Sequence, residues 1–253
     1  MYKNGIEVLH DSELGIVVEK RSWLDIFETL YPESSQRFYY PNDQDEVLSI
    51  VHDGIDVAII AGQGASMAAC MTERLRVYGA KAILRIGTCG ALSPHAQPWT
   101  AHLTNACFSD EGTSSHYLPK GFPIISSFEL NTYLVRALKE AEFPYKVAPT
   151  ITTDGRWMEN PTLLQQLNKI GIETIEMETA GVFAVCQYRH IPVAAINLTT
   201  DSPTQEEAIE GDFIGIPDRK KYQVDLTNTL KKIIPIGISA LTNYYRHELV
   251  RHQ

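Results

Sequence analysis

Short apolar runs alternate along the chain with stretches in which apolar positions recur every three to four residues. Gly15-Ile16-Val17-Val18 reads as a buried strand, and Asp56 to Ala61 as a second, stopped by Gly62-Gln63-Gly64. From Ser66 to Tyr78 the apolar Met67, Cys70, Met71 and Leu75 fall on one helical face, so this segment predicts a helix. Gly79 suits its left-handed C-terminal cap. Ala82 to Ile86 follows as a strand, and 56–86 is therefore a β-turn-α-β unit with a parallel crossover. The same patterning predicts strands at 102–108, 146–152, 173–176 and 193–199, and helices at 128–142, 161–169, 178–190 and 219–246. Pro235 should kink or split the last helix. Strands interleaved with helices give an α/β class with a largely parallel, buried sheet. No linker, repeat or composition shift interrupts 1–253, so a single domain is expected.

Composition narrows the partner. The 253 residues are 44% hydrophobic, enough for a real core. Lys and Arg total 22 against 31 Asp and Glu, a net charge of 22 − 31 = −9. Nucleic acid and anionic membranes want a basic footprint and are not expected partners. A small anion needs only one or two local arginines and stays open. The four cysteines (70, 89, 107 and 186) form no C-x-x-C pair and read as free thiols of a reducing compartment. The eight histidines include no H-x-x-x-H or H-E-x-x-H, so no metal is expected. No apolar run reaches the roughly 18 residues of a membrane span, and the N-terminal stretch has no signal-peptide core. Cytoplasmic location is the expectation.

Four segments carry candidate chemistry. In Arg85-Ile86-Gly87-Thr88-Cys89-Gly90, two glycines let the backbone turn and present amides beside a hydroxyl and a guanidinium, a combination suited to a tetrahedral oxyanion. An arginine paired with a core carboxylate would give the same pattern. Glu176-Met177-Glu178-Thr179-Ala180-Gly181 enters a helix, and one carboxylate there can hold a sugar diol bidentately. Acids in a first helical turn are also favoured by the macrodipole alone. Thr199-Thr200-Asp201-Ser202-Pro203 ends an apolar strand, where α/β enzymes place acid/base groups, although a turn would also use an Asp before Pro. Thr152 to Trp157 offers a polar turn and an aromatic plate for a planar ring, or simply a packing tryptophan. Read together, the segments would hold a phosphate, a ribose and a base.

These residues resemble the nucleoside phosphorylase family of the hexameric purine nucleoside phosphorylase and uridine phosphorylase type. Arg85 to Gly90 resembles its R-x-G-[ST]-x-G phosphate segment, and Glu176 to Ala180 its E-M-E-x-A ribose segment. Asp201 falls where purine-acting members place the acid that protonates the base, and Asp110 to Tyr117 resembles a central loop of several branches. The order holds over roughly 12–245. The resemblance implies a single-domain, three-layer fold with a central mixed, largely parallel sheet flanked by helices. It implies a pentosyltransferase that converts nucleoside and inorganic phosphate to free base and ribose 1-phosphate, with phosphate as co-substrate and no cofactor. Arg85 and Thr88 would bind phosphate, Met177 and Glu178 the ribose, Trp157 and Thr200 the base. Asp201 would act as acid, assisted by Arg219. A homo-oligomer, hexamer or dimer, is implied.

Two departures matter. The family's N-terminal G-D-P-x-R loop supplies a second phosphate arginine, whereas 15–21 here reads Gly-Ile-Val-Val-Glu-Lys-Arg. Arg21 is the candidate replacement, and Arg37 the candidate for an arginine that crosses from a neighbouring subunit in many members. The uracil-reading G-Q-x-R is absent, since 155–160 reads Gly-Arg-Trp-Met-Glu-Asn, and this favours a purine over the uridine alternative. Hydrolysis by an AMP nucleosidase-like enzyme is the nearest rival activity, and a non-catalytic nucleoside binder is a rival from another class.

Overall fold

The computed structural model describes residues 2–3, 6–7, 10–39, 46–93, 97–156, 160–201 and 219–250. A small antiparallel ladder pairs β1 (Tyr2–Lys3) with β2 (Ile6–Glu7). The main sheet contains β3 (Leu14–Val18), β4 (Ser35–Tyr39), β5 (Glu46–His52), β6 (Ile55–Ala61), β7 (Ile83–Ala91) and β8 (Ala101–Asp110). It continues with β9 (Ile124–Ile125), β10 (Tyr145–Thr153), β11 (Thr174–Glu176) and β12 (Val193–Asp201). The helices are α1 (Leu24–Leu30), α2 (Ala65–Tyr78), α3 (Phe128–Glu140), α4 (Pro161–Lys169), α5 (Thr179–Arg189) and α6 (Arg219–Tyr244).

Strand order is β11-β10-β8-β12-β7-β3-β6-β5-β4, with β9 added to β8. β11 also pairs with β7, so five strands (β7, β12, β8, β10 and β11) close into a ring. The sheet is mixed. β3, β6, β7 and β12 run parallel, as do β8, β10 and β11, while β8 meets β12 and β11 meets β7 antiparallel.

Alternation along the strands builds the three layers. Ile16, Leu84 and Ile196 face α1, α3 and α6, whereas Val17, Ile83 and Ala195 face α2 and α5. Leu130, Leu134 and Leu138 of α3 recur every fourth residue and are fully buried. Truncating one of them to alanine would cost about 2–5 kcal/mol through lost transfer energy and a cavity. α4 begins where Asn160 accepts hydrogen bonds from the N–H groups of Thr162 (2.9 Å) and Leu163 (3.2 Å), with Pro161 in the first turn. Gly79, at φ 113°, closes α2 as expected.

Three expectations require adjustment. The β4–β5 hairpin and α1 were not evident in the apolar pattern: α1 has seven residues, and β4 is half-exposed on the sheet edge. β7 does not turn at Gly87 but continues to Ala91. Gly87 is needed because a Cβ there would overlap the Arg85 guanidinium folded across it. α6 is not split at Pro235, because Ile233, Ile234, Ile238 and Leu241 pack it onto the sheet through and beyond that residue.

Candidate active site

The ends of β3, β6, β7 and β12 share one edge, as parallel strands should. The Glu176–Glu178 segment does not arrive with them. β11 runs against β7, placing Ile175 opposite Gly90, and ring closure then brings its last residue toward Arg85. The site therefore lies where two opposed strand sets meet.

Arg85 is its centre and is only 1% exposed. One guanidinium nitrogen donates to Asn197 Oδ1 and the other to Glu178 Oε2, with Glu176 Oε2 at 3.2 Å. Asn197 is oriented in turn by Thr104 and Thr179, each 3.3 Å from its amide nitrogen. Glu178 Oε1 accepts the Gly64 N–H at 2.7 Å, which ties α5 to the turn after β6. Glu176 behaves as the helix-terminus acid: its Oε2 accepts the N–H groups of Glu178 (2.9 Å) and Thr179 (2.8 Å), and its Oε1 accepts from Thr152. The helix-terminus role raised for the E-M-E motif thus falls to Glu176, while Glu178 is turned to Arg85 and Gly64. Burial raises the Glu178 carboxyl, with Arg85 opposing and Glu176 and Glu19 adding to the rise. Met177 between them is half-buried.

The candidate phosphate ligands are engaged with carboxylates of the chain itself. Thr88 donates to Glu19 Oε2 from its N–H (3.0 Å) and its hydroxyl (2.6 Å). Arg21 forms a bidentate pair with Glu46 at 2.7 and 3.1 Å. Arg37 binds Glu28 at 2.6 and 2.7 Å, Asp25 at 2.6 Å and Glu46 at 3.3 Å. Arg21 and Arg37 thus join α1, β4 and β5 in one ionic cluster, apart from the Thr88 contact.

Asp201 ends β12 after an irregularity that pairs it with Gly90 directly after Thr199 pairs with Cys89. Burial raises its carboxyl. The Thr200 hydroxyl, 2.8 Å from Oδ1, and the charge of Arg156 oppose the rise, and Glu19 adds to it. Burial lifts the phenol of Tyr222, on α6, to about 12, with Thr200 opposing the rise and Glu19 and Asp201 adding to it. Trp99 packs on Tyr222 with ring centroids 5.6 Å apart. Trp99 is held at φ 63°, uncommon for a bulky side chain, and its N–H donates to the Thr199 carbonyl at 2.7 Å. Arg219 opens α6 on its exposed side. Trp157, Ser202 and Pro203 lie outside the described residues.

Glu19, Asn197, Trp99 and Tyr222 were missed from sequence. A single acid after an apolar strand, or an asparagine within one, carries no motif, and Trp99 and Tyr222 are neighbours only through the fold.

A buried arginine–dicarboxylate knot where β7 and β11 meet, with Asp201 ending the neighbouring strand β12, forms the candidate site of this α/β fold. The chain belongs to the phosphorylase superfamily, whose family model matches residues 13–222. It is 26% identical over 202 residues to a guanosine phosphorylase of Halorubrum lacusprofundi, covering 79% of this chain and 82% of that one. It is 27% identical over 170 residues to the Escherichia coli uridine phosphorylase, covering 61% and 67%. Among solved structures, it is similar to the Toxoplasma gondii purine nucleoside phosphorylase in complex with immucillin-H, with a TM-score of 0.79 and 24% identity over 97% of this chain and 100% of that one. Vibrio fischeri uridine phosphorylase gives a TM-score of 0.74 at 23% identity, over 91% and 90%.

Proposed function

We propose that the protein, as one domain over 1–253, cleaves the N-glycosidic bond of a purine nucleoside with phosphate as acceptor, releasing free base and ribose 1-phosphate. The observation that carries this reading is the Arg85–Glu178–Gly64 connection on β7, with Asp201 at the end of the neighbouring strand β12. Glu178 commits one lone pair of each carboxylate oxygen to the protein and keeps the others for the 2′ and 3′ hydroxyls. Met177 packs against the sugar. Bond cleavage develops positive charge on the ribose, which the surrounding carboxylates and the incoming phosphate stabilise. Negative charge develops on the leaving base, and Asp201, raised by burial, delivers a proton to it. Thr200, Tyr222 and Trp99 border the base, with Trp157 as a further candidate and Arg219 as the assistant to Asp201. Arg85 and Thr88 serve phosphate, with Arg21 and Arg37 as auxiliary candidates, and no further cofactor is invoked. No helix among the described residues is long and apolar enough to cross a membrane. We place the enzyme in the cytoplasm as a homo-oligomer, hexamer or dimer, and the exposed Phe108, Phe122 and Ile125 around β8 and β9 support self-association.

Hydrolysis is the second reading, and the Glu19 contact on Thr88 favours it, because that carboxylate stands where a phosphate oxygen would be held. Inosine, guanosine and uridine, each incubated with and without phosphate, separate the readings. Phosphorolysis predicts phosphate-dependent base release with ribose 1-phosphate as co-product. Free ribose at an unchanged rate without phosphate would establish hydrolysis, and nucleoside binding without any base release would leave a binding protein.

A further inference from the structure

The Thr88 N–H and hydroxyl converge on a single oxygen, Oε2 of Glu19, at 3.0 and 2.6 Å. Glu19 directly follows β3, the strand between β6 and β7, so the ladder itself carries its carboxylate to the edge where Thr88 lies. Its side chain is only 11% exposed, and its Oε1 has Lys20 Nζ at 3.6 Å. Its charge is felt at Arg85, Glu178, Asp201 and Tyr222, which locates it among the groups of the site rather than on a remote surface. Arg85, the other phosphate candidate on β7, is shared between Glu176 and Glu178. A dianion entering this cleft therefore meets donors already holding a carboxylate oxygen, and a negative charge at the position it must take.

We infer that Glu19 determines which acceptor the site admits: its carboxylate holds the Thr88 donors that a phosphate oxygen needs, so phosphate binds only by displacing it. The inference rests on the reading of Thr88 as the phosphate-binding residue. Water, being uncharged, suffers no such repulsion, so Glu19 biases the acceptor away from phosphate.

Isothermal titration calorimetry with inorganic phosphate on the full chain tests this without requiring turnover. Glu19→Ala frees both Thr88 donors and is expected to bind phosphate at least tenfold more tightly than the parent chain, a difference of 1.4 kcal/mol. Glu19→Gln removes the charge but keeps an acceptor oxygen, and is expected to improve affinity by a smaller factor, at least threefold. An affinity for Glu19→Ala less than threefold above the parent overturns the inference. If Glu19→Ala does not fold, the same threefold limit applied to Glu19→Gln decides. Should no nucleoside be cleaved by any of the three proteins, the proposed function falls, while the phosphate titrations still judge Glu19.

Discussion

The carboxylate of Glu178 bridges Arg85 and the backbone N–H of Gly64, joining the first turn of α5 to β7 and to the turn after β6. Three segments far apart in sequence are thereby fixed to one another through a side chain that is 5% exposed. Glu178→Gln keeps the shape and an acceptor for Gly64, and leaves Arg85 its pairing with Glu176. The expected outcome is a fold retained and kcat/KM lowered about a hundredfold or more, since each hydrogen bond to a charged group contributes about 1.5–3 kcal/mol. Arg85→Met should instead leave two buried carboxylates without their cation and destabilise the protein by about 3–5 kcal/mol. Urea unfolding and base-release kinetics on the two variants check the contrast. Equal stability losses would mean that Glu178 is mainly a structural partner of Arg85.

How much of this was legible beforehand depends on the scale of the signal. The α2 unit was readable because Met71 and Leu75 keep helical spacing up to a glycine that can adopt φ 113°. Arg85, Thr88, Glu178 and Asp201 were readable as types in a familiar order, and their neighbours in space were not. Nothing local says that β11 runs against β7, so the entry of Glu176 from the opposite direction could not be foreseen. The glycine at 87 was read as a turn, when its role is to leave room for a guanidinium two residues earlier. Pairing of Thr88 with Glu19 across 69 positions likewise depends on β3 lying beside β7, a topological fact.

Asp201→Asn tests the acid. Asparagine keeps an acceptor for Thr200 and cannot donate a proton as a carboxylic acid does. Turnover of a purine nucleoside should fall by about 10²- to 10⁴-fold, the usual contribution of a positioned general acid. A nitrophenyl riboside, whose leaving group departs without a proton, should lose far less. In the parent, activity should decline as pH rises through the raised Asp201 pKa, because the protonated form is the competent one. Equal losses on both substrates would remove Asp201 from proton delivery.

Tyr222→Phe probes the base end. The ring packed on Trp99 is kept, and the phenol hydroxyl is lost. If the phenol borders the base as proposed, loss of one neutral polar contact to it is worth about 0.5–1.5 kcal/mol. The nucleoside KM should therefore rise by about two- to tenfold with kcat nearly constant, as follows from lost uniform binding. A fall in kcat at constant KM would assign the phenol to the chemical step instead.

His102 offers a test of the buried polar interior that is independent of catalysis. It lies on β8, is 3% exposed, has Thr174 Oγ1 at 3.3 Å from Nδ1, and its Nε2 has no hydrogen-bond partner among the described residues. Burial first, and the charge of Lys146 second, push its pKa from the ordinary 6.5 down to about 4. Above pH 6.5 the ring is neutral in the folded and unfolded chains, and it has no pH-linked effect. Between 6.5 and about 4 the unfolded chain takes up a proton that the folded one refuses, so stability falls as pH falls. The full effect, reached below about pH 4, is about 3 kcal/mol at 1.36 kcal/mol per pKa unit. His102→Gln removes the titration while keeping a polar group near Thr174. Unfolding free energies of parent and variant, measured from pH 7.5 to 4, should converge or cross as the parent loses this additional stability. Parallel curves would show that His102 takes up its proton equally well in the folded chain.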